Sequence, residues 1–326
     1  MDWGQILDTA AGELLSPVTA AYALAAIGIG VHFGYAGLLN FGQAGFMAIG
    51  AYGFVVPTLV LDFPVWAAFL TSIVASVLFA FLLGIPTLRL RADYLAIVTI
   101  ASAEIVRYVV STTGLTDVTG GAAGLSGFSG GFNALNPFPD GIYGFGPWTY
   151  TENQLWVRVV GWSLVALASV LVFLLMRSPW GRVVKGIRED EDAVRSLGKN
   201  VYAYKMQALV LGGVFGSLAG VIYVLPRAVQ PANYGTTLTF FIWTMLLLGG
   251  AATIWGPIVG AMIFAALLTL SDGILRGLIS ADIVTFISGT QAGQIRFMII
   301  GVVLMLLVIF RPQGIFGNKK ELSFNV

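Results

Sequence analysis

The residues able to do chemistry are few and unevenly placed. Between positions 177 and 205 (RSPWGRVVKGIREDEDAVRSLGKNVYAYK) lie Arg177, Arg182, Lys185, Arg188, Arg195, Lys199 and Lys205, seven of the 17 Lys and Arg residues. The acidic run Glu189, Asp190, Glu191 and Asp192 falls in the same stretch. Two further groups sit inside apolar segments. Glu104 and Arg107 are one helical turn apart and so able to pair, and Asn40 and Gln43 lie in a glycine-rich run. The single histidine, His32, has no partner at metal-ligand spacing, and cysteine is absent. This set excludes disulfides, thiol chemistry and cysteine-ligated metal. It offers no carboxylate cluster or histidine pair for acid–base work, so neither an enzyme nor a metal or cofactor is expected. What remains is recognition by charge at 177–205 and polar contact within apolar surroundings elsewhere.

The elements that hold these groups must be membrane helices. Of the 326 residues 57% are hydrophobic and only 10% are charged, with a mean hydropathy of +0.88. Such a chain cannot cover itself with polar groups, so the bilayer is its solvent. The net charge of +1 and the lack of a basic stripe set nucleic acid aside. The N-terminal MDWGQILDTAAGELL is acidic and has no basic n-region, so no cleaved signal is expected.

A spanning helix needs about 20 mainly apolar residues. That length predicts an all-α polytopic bundle in one transmembrane domain over 1–326, with roughly nine crossings (8–10). They fall at 16–34, 38–61, 64–87, 93–112, 154–177, 203–225, 236–250, 255–276 and 294–310. The 236–250 crossing is short, and 36–50 has the glycine and polar content of a broken or re-entrant helix. Positive charge follows the third, fifth and last spans at Arg89, Arg91, 177–205, Arg311, Lys319 and Lys320, whereas 113–153, 226–235 and 277–293 carry only Arg227. The positive-inside rule then predicts an outer N-terminus and a cytoplasmic C-terminus.

Smaller signals fill in the bundle. Gly30-xxx-Gly34, Gly212-xxx-Gly216-xxx-Gly220 and Gly256-xxx-Gly260 place small residues on one helical face, which lets backbones approach. The outer stretch 113–153 is rich in Gly, Asn and Pro and is expected to form turns, as a docking surface, a lid or a linker. His32 is expected to be a packed, hydrogen-bonded group, and Asp272 with Arg276 a structural i,i+4 pair.

Within 177–205, Ser178 before Pro179 predicts an N-cap and an N1 proline. Val183, Val184 and Ile187 give the helix an apolar side. Asp190 is a second N-cap, with Glu191 and Asp192 in the first turn where the helix dipole favours acid. Ala193, Val194 and Leu197 supply the apolar stripe, and Gly198 with Lys199 is a stop. Basic loops also fix topology and touch anionic lipid. Two capped helices at an acidic elbow point further, to helix-in-groove docking on a cytosolic protein.

Here the sequence is familiar. GRVVKGIREDEDAVRSLGKNVYAYKMQALVLGGVFGSLAGVIYV resembles the permease subunits of bacterial ABC importers for branched-chain amino acids, the LivM type. GLLNFGQAGFMAIGAY (37–52), RLRADYLAIVTIASAEIVR (89–107), TGGAAGL (119–125), LLGGAATIWGPIVGA (247–261) and FRPQGIFG (310–317) are similar to further blocks of that family, in the same order. Ala92 stands where the family has Gly, Val194 where it often has Ala, and Thr253-Ile254-Trp255 replaces a smaller run.

The resemblance implies a permease in a bacterial inner membrane, worked by others. Nothing fits GxxxxGK[ST], so ATP must bind elsewhere. The implied partners are a second, homologous permease, two ATP-binding subunits and an external solute-binding protein. Gly181, Arg182, Arg188, Glu189 and Asp190 are then expected to contact an ATP-binding subunit, with Ala193, Val194 and Leu197 in its groove. Asn40, Gln43, Glu104 and Arg107 are expected along the translocation pathway. Glu104 and Arg107 also suit a structural ion pair, because an unpaired charge at mid-helix costs about 2.5–3.5 kcal/mol. Other readings remain open at this level: a permease for urea or short amides, a self-sufficient secondary transporter or channel, and a membrane scaffold.

Overall fold

The computed structural model describes residues 3–89, 92–280, 289–311 and 313–317. Arg91, Lys319, Lys320 and the stretch 281–288, all used in the orientation argument, lie outside the described residues.

The chain opens with α1 (Trp3–Leu14), then α2 (Pro17–Ile29), which starts on the Ser16 side-chain cap and widens into a π-helical turn at Gly30–Tyr35. A non-helical break follows before α3 (Gln43–Val60), α4 (Val65–Thr87) and α5 (Ala92–Ser111). The next stretch holds short 3-10 turns (Thr113–Leu115 and Gly121–Ala123), the one-turn helices α6 (Thr116–Thr119) and α7 (Gly130–Asn133), and a hairpin of β1 (Ile142–Phe145) and β2 (Trp148–Thr151). The long α8 (Glu152–Arg177) leads into short α9 (Pro179–Glu189) and α10 (Glu191–Ser196). Then come α11 (Val201–Val224), α12 (Thr236–Gly249), α13 (Gly256–Ser280) and α14 (Gly289–Phe310).

Seven described helices are long and apolar enough to cross a membrane. The 14-residue α12 and the 22-residue α14 are the remaining two expected segments. Each expected crossing falls on a helix, and the expected break is present ahead of Gln43. One feature goes beyond what the sequence indicated and one differs from it. The acidic N-terminus is a helix that packs Ile6 against Gly273 of α13. The stretch 113–153 is not all turns, because Ile142 pairs with Thr151 and Phe145 with Trp148 across Gly146-Pro147, where Gly146 takes a φ of +61°. A two-residue turn with positive φ is what an antiparallel hairpin needs.

α11 is the central helix, with α2, α3 and α4 packed around it and its middle almost wholly buried. The glycine repeat explains how they approach so closely. A Cβ on Gly28 would lie 2.5 Å from the Gly212 carbonyl oxygen, and one on Gly220 would collide with the Met47 carbonyl. Without a hydrophobic drive between helices in lipid, such backbone contact is a main source of their cohesion.

Charge gathers at one end of this bundle. Arg89 lies over the Tyr202 ring, Lys185 over Tyr35, and the chain just after Arg311 pairs there, with Ile315 N–H donating to the Leu248 carbonyl. The hairpin, α1 and Arg227 lie towards the opposite end, where Leu125 and Val229 form a β-bridge.

Candidate functional site

The expected caps of the charged elbow are all formed. Ser178 accepts from Gly181 N–H at the start of α9, and Asp190 Oδ1 accepts from Ala193 N–H at 2.9 Å to start α10. Gly198 ends it with a φ of +74°. The side chains then divide between two faces. Arg182, Glu189, Asp190, Ala193 and Leu197 are exposed, Leu197 at 78%. Gly181 is buried against Leu175 and Met176, and Val194 packs toward Gly186 between the two helices.

Arg188 turns inward. Its guanidinium donates to the Gly34 carbonyl at 2.5 Å, and its stem covers Gly37, whose φ is +68°. The elbow is thereby tied to the π-helical end of α2. The acids are mostly engaged within the chain. Asp190 caps, Arg195 bonds both Glu191 and Asp192, and Lys205 bonds Glu191. Glu189 is the outward exception, with Arg188 at 3.7 Å.

The break before α3 is a second polar centre, built deep between helices. A helix that starts inside a bundle presents amide groups that need partners. Thr99 of α5 accepts from Phe41 N–H at 2.9 Å, Asn40 Oδ1 from Gly42 N–H at 2.7 Å, and Thr239 of α12 from Ala44 N–H at 3.1 Å. Trp243 donates its indole N–H to the Asn40 carbonyl at 3.1 Å and stacks on Phe41. The Asn40 amide donates to Nδ1 of His32, whose Nε2–H donates to the Leu209 carbonyl. His32 is therefore a packed group with both ring nitrogens engaged, as expected. Gln43 donates to the Ala25 and Gly212 carbonyls, and its Oε1 has no partner among the described residues. Asn40 and Gln43 are both 0% exposed, so the chain itself encloses them.

Glu104 and Arg107 sit higher on α5, on a partly open face. Arg107 Nε donates to Glu104 Oε2 at 2.7 Å. The other carboxylate oxygen accepts from the Thr236 hydroxyl at 2.7 Å and from Thr236 N–H at 3.0 Å. Glu104 thus caps α12 from a different helix, at the end where the macrodipole favours an anion. Asp272 and Arg276 also pair, at 2.8 Å.

The comparisons with known proteins agree with this architecture. Residues 15–310 match the family described as branched-chain amino acid transport system, permease component. The chain belongs to this family. It is 29% identical over 322 residues to the high-affinity branched-chain amino acid transport system permease protein LivM of Salmonella typhimurium, covering 92% of this chain and 69% of that one. The LivM protein of Escherichia coli K12 gives the same figures. A shorter likeness, 28% over 123 residues, covers 37% of this chain and 36% of the autoinducer 2 import system permease protein LsrC of Escherichia coli. The protein is accordingly a multi-pass membrane protein, a permease component of an ABC transport system of the branched-chain amino acid type.

Sequence reasoning about this permease missed Thr99, Thr236, Thr239 and Trp243, the partners that complete both polar centres. Each lies far along the chain from the group it serves. The one available signal was their polarity within otherwise apolar helices. It also missed Lys205 as the partner of Glu191.

Proposed function

We propose that this chain is the LivM-type permease of a bacterial ABC importer for branched-chain amino acids or a closely related small solute. In this reading the whole chain acts as one transmembrane domain in the inner membrane, with an outer N-terminus and a cytoplasmic elbow. A second, homologous permease completes the pathway, two ATP-binding subunits drive it, and an external binding protein delivers solute.

The carrying observation is the elbow: two short capped helices with an exposed face, joined by Arg188 to the end of α2. We assign Arg182, Glu189, Asp190, Ala193 and Leu197 to the face that meets an ATP-binding subunit. Gly181, Arg188 and Val194 hold that face in place from behind. Exposed Leu197 serves as the apolar anchor, of the kind that carries helix-in-groove binding. Closure of the ATP-binding subunits would push α9 and α10, and Arg188 would pass the movement to Gly34 and the break.

At the pathway we assign Glu104 and Arg107, on the open face of α5, the role of a polar lining. Asn40 and Gln43 shape the break that sets where α3 begins. Uptake of leucine, isoleucine, valine, urea and short amides by the assembled complex in proteoliposomes tests this reading. ATP-dependent uptake of a branched-chain amino acid supports it, whereas equal uptake by this chain alone refutes it.

A further inference from the structure

α4 and α5 are consecutive helices. Between them lies a groove of about 750 Å³, lined almost entirely by apolar side chains, with Ile49 of α3 beside it. Its rim is open to the surroundings, for Leu78, Leu82 and Ile105 are all well exposed. Leu78, Leu82 and Pro86 follow one another at helical spacing along one side of α4, and Arg89 comes two residues after the helix ends at Thr87.

At the end of α4 the chemistry changes. A second cavity of about 900 Å³ begins at Leu88 and Arg89 and is completed by α10 and the start of α11. Arg195, Lys199, Lys205 and Tyr202 line it, with Glu191 and Asp192. Those two acids are held by Arg195 and Lys205. No carboxylate among the described residues pairs with Arg89 or Lys199, so the cavity keeps an uncompensated positive charge.

We propose that groove and cavity together hold one anionic phospholipid. Its acyl chain lies between α4 and α5 and its phosphate meets Arg89 and Lys199. The polarity along the groove carries the assignment: apolar and open through the membrane-spanning part, then cationic at the end where the bundle carries its charge. A helix from another subunit would fill the apolar part but would leave the two cations unanswered. A phosphate seated at Arg89 and Lys199 joins the end of α4 to the turn after α10. The inference stands apart from the transport reading, because it concerns only what this chain binds.

Native mass spectrometry of the full-length chain in detergent, with equal amounts of phosphatidylglycerol and phosphatidylcholine of matched acyl chains, tests it. The expected result is preferential retention of phosphatidylglycerol. That preference falls about fivefold for Arg89→Gln and again for Lys199→Gln, the effect of one cation near an anionic surface. Ser102→Trp fills the groove from α5 and is expected to abolish retention with both charges intact. Equal retention of the two lipids overturns the proposal, as does retention that Ser102→Trp leaves unchanged. Displacement of the lipid by free glycerol phosphate marks a simple anion site and also overturns it. Loss of the lipid once a second permease is bound assigns the groove to that subunit instead.

Discussion

Removing Glu104 should unsettle two helices at once. Glu104→Ala takes away the cap on α12, worth about 1 kcal/mol. It also strips Arg107 of a charge-assisted partner, worth about 1.5–3 kcal/mol when shielded and less at the quarter exposure of this pair. The sum is a loss of about 2–3 kcal/mol for the single substitution. Glu104→Gln keeps an oxygen for Thr236 and gives up only the charge, so about 1–2 kcal/mol is expected. Arg107→Ala leaves the cap intact and should cost about the same. The double variant Glu104→Ala with Arg107→Ala should then be more stable than the sum of its parts by about 1–2 kcal/mol, since contacting residues couple. Denaturant unfolding of the purified chain in detergent, followed as a double-mutant cycle, measures that coupling. Strict additivity would refute the pairing argument. A stable Glu104→Ala chain that no longer supports uptake would leave the pair a pathway role alone.

Four further outcomes are expected. Arg188→Gln should lower uptake by the assembled complex roughly tenfold while ATP turnover persists, because a charged hydrogen bond of about 1.5–3 kcal/mol links the elbow to the π-helical end of α2; assays of both rates check it. Asp190→Ala should cost α10 about 1 kcal/mol of cap energy, seen as faster amide exchange at Ala193 with membrane insertion unchanged. Gly212→Ala should destabilise by about 1–3 kcal/mol through collision with His32 and Gly28, measured by the same unfolding assay. Trp243→Phe keeps the stack on Phe41 but loses the bond to Asn40, so a drop of about 1 kcal/mol is expected by that assay.

What could be read from the sequence was what depends on near neighbours. Helix length against bilayer thickness placed the spans, and Ser178, Asp190 and Gly198 announced their caps because a cap bonds within three residues. The Glu104–Arg107 pair was visible for the same reason. The direction in which Arg188 points was not, since its acceptor at Gly34 lies on another helix. Nor was the fate of the acidic run. The sequence places Glu191 and Asp192 in the first turn of α10, but their bonds to Arg195 and Lys205 show only once α10 and α11 are built. The break at Asn40 and Gln43 was legible as irregular backbone. Its closure by Thr99, Thr239 and Trp243 required the helices to be assembled first. The hairpin hid behind glycine and proline content that signals turns without saying what the turns connect.

The central claim is that the exposed side of α9 and α10 meets a separate ATP-binding subunit. Because the chain has no cysteine, Leu197→Cys introduces a unique thiol. Short-range cross-linking of that thiol in membranes co-expressing the ATP-binding subunits, with Phe145→Cys at the opposite end as comparison, is the most direct measurement. The account predicts an adduct between the permease and an ATP-binding subunit from Leu197→Cys and none from Phe145→Cys. No adduct from Leu197→Cys, together with its labelling by an impermeant reagent added outside the cell, would contradict it.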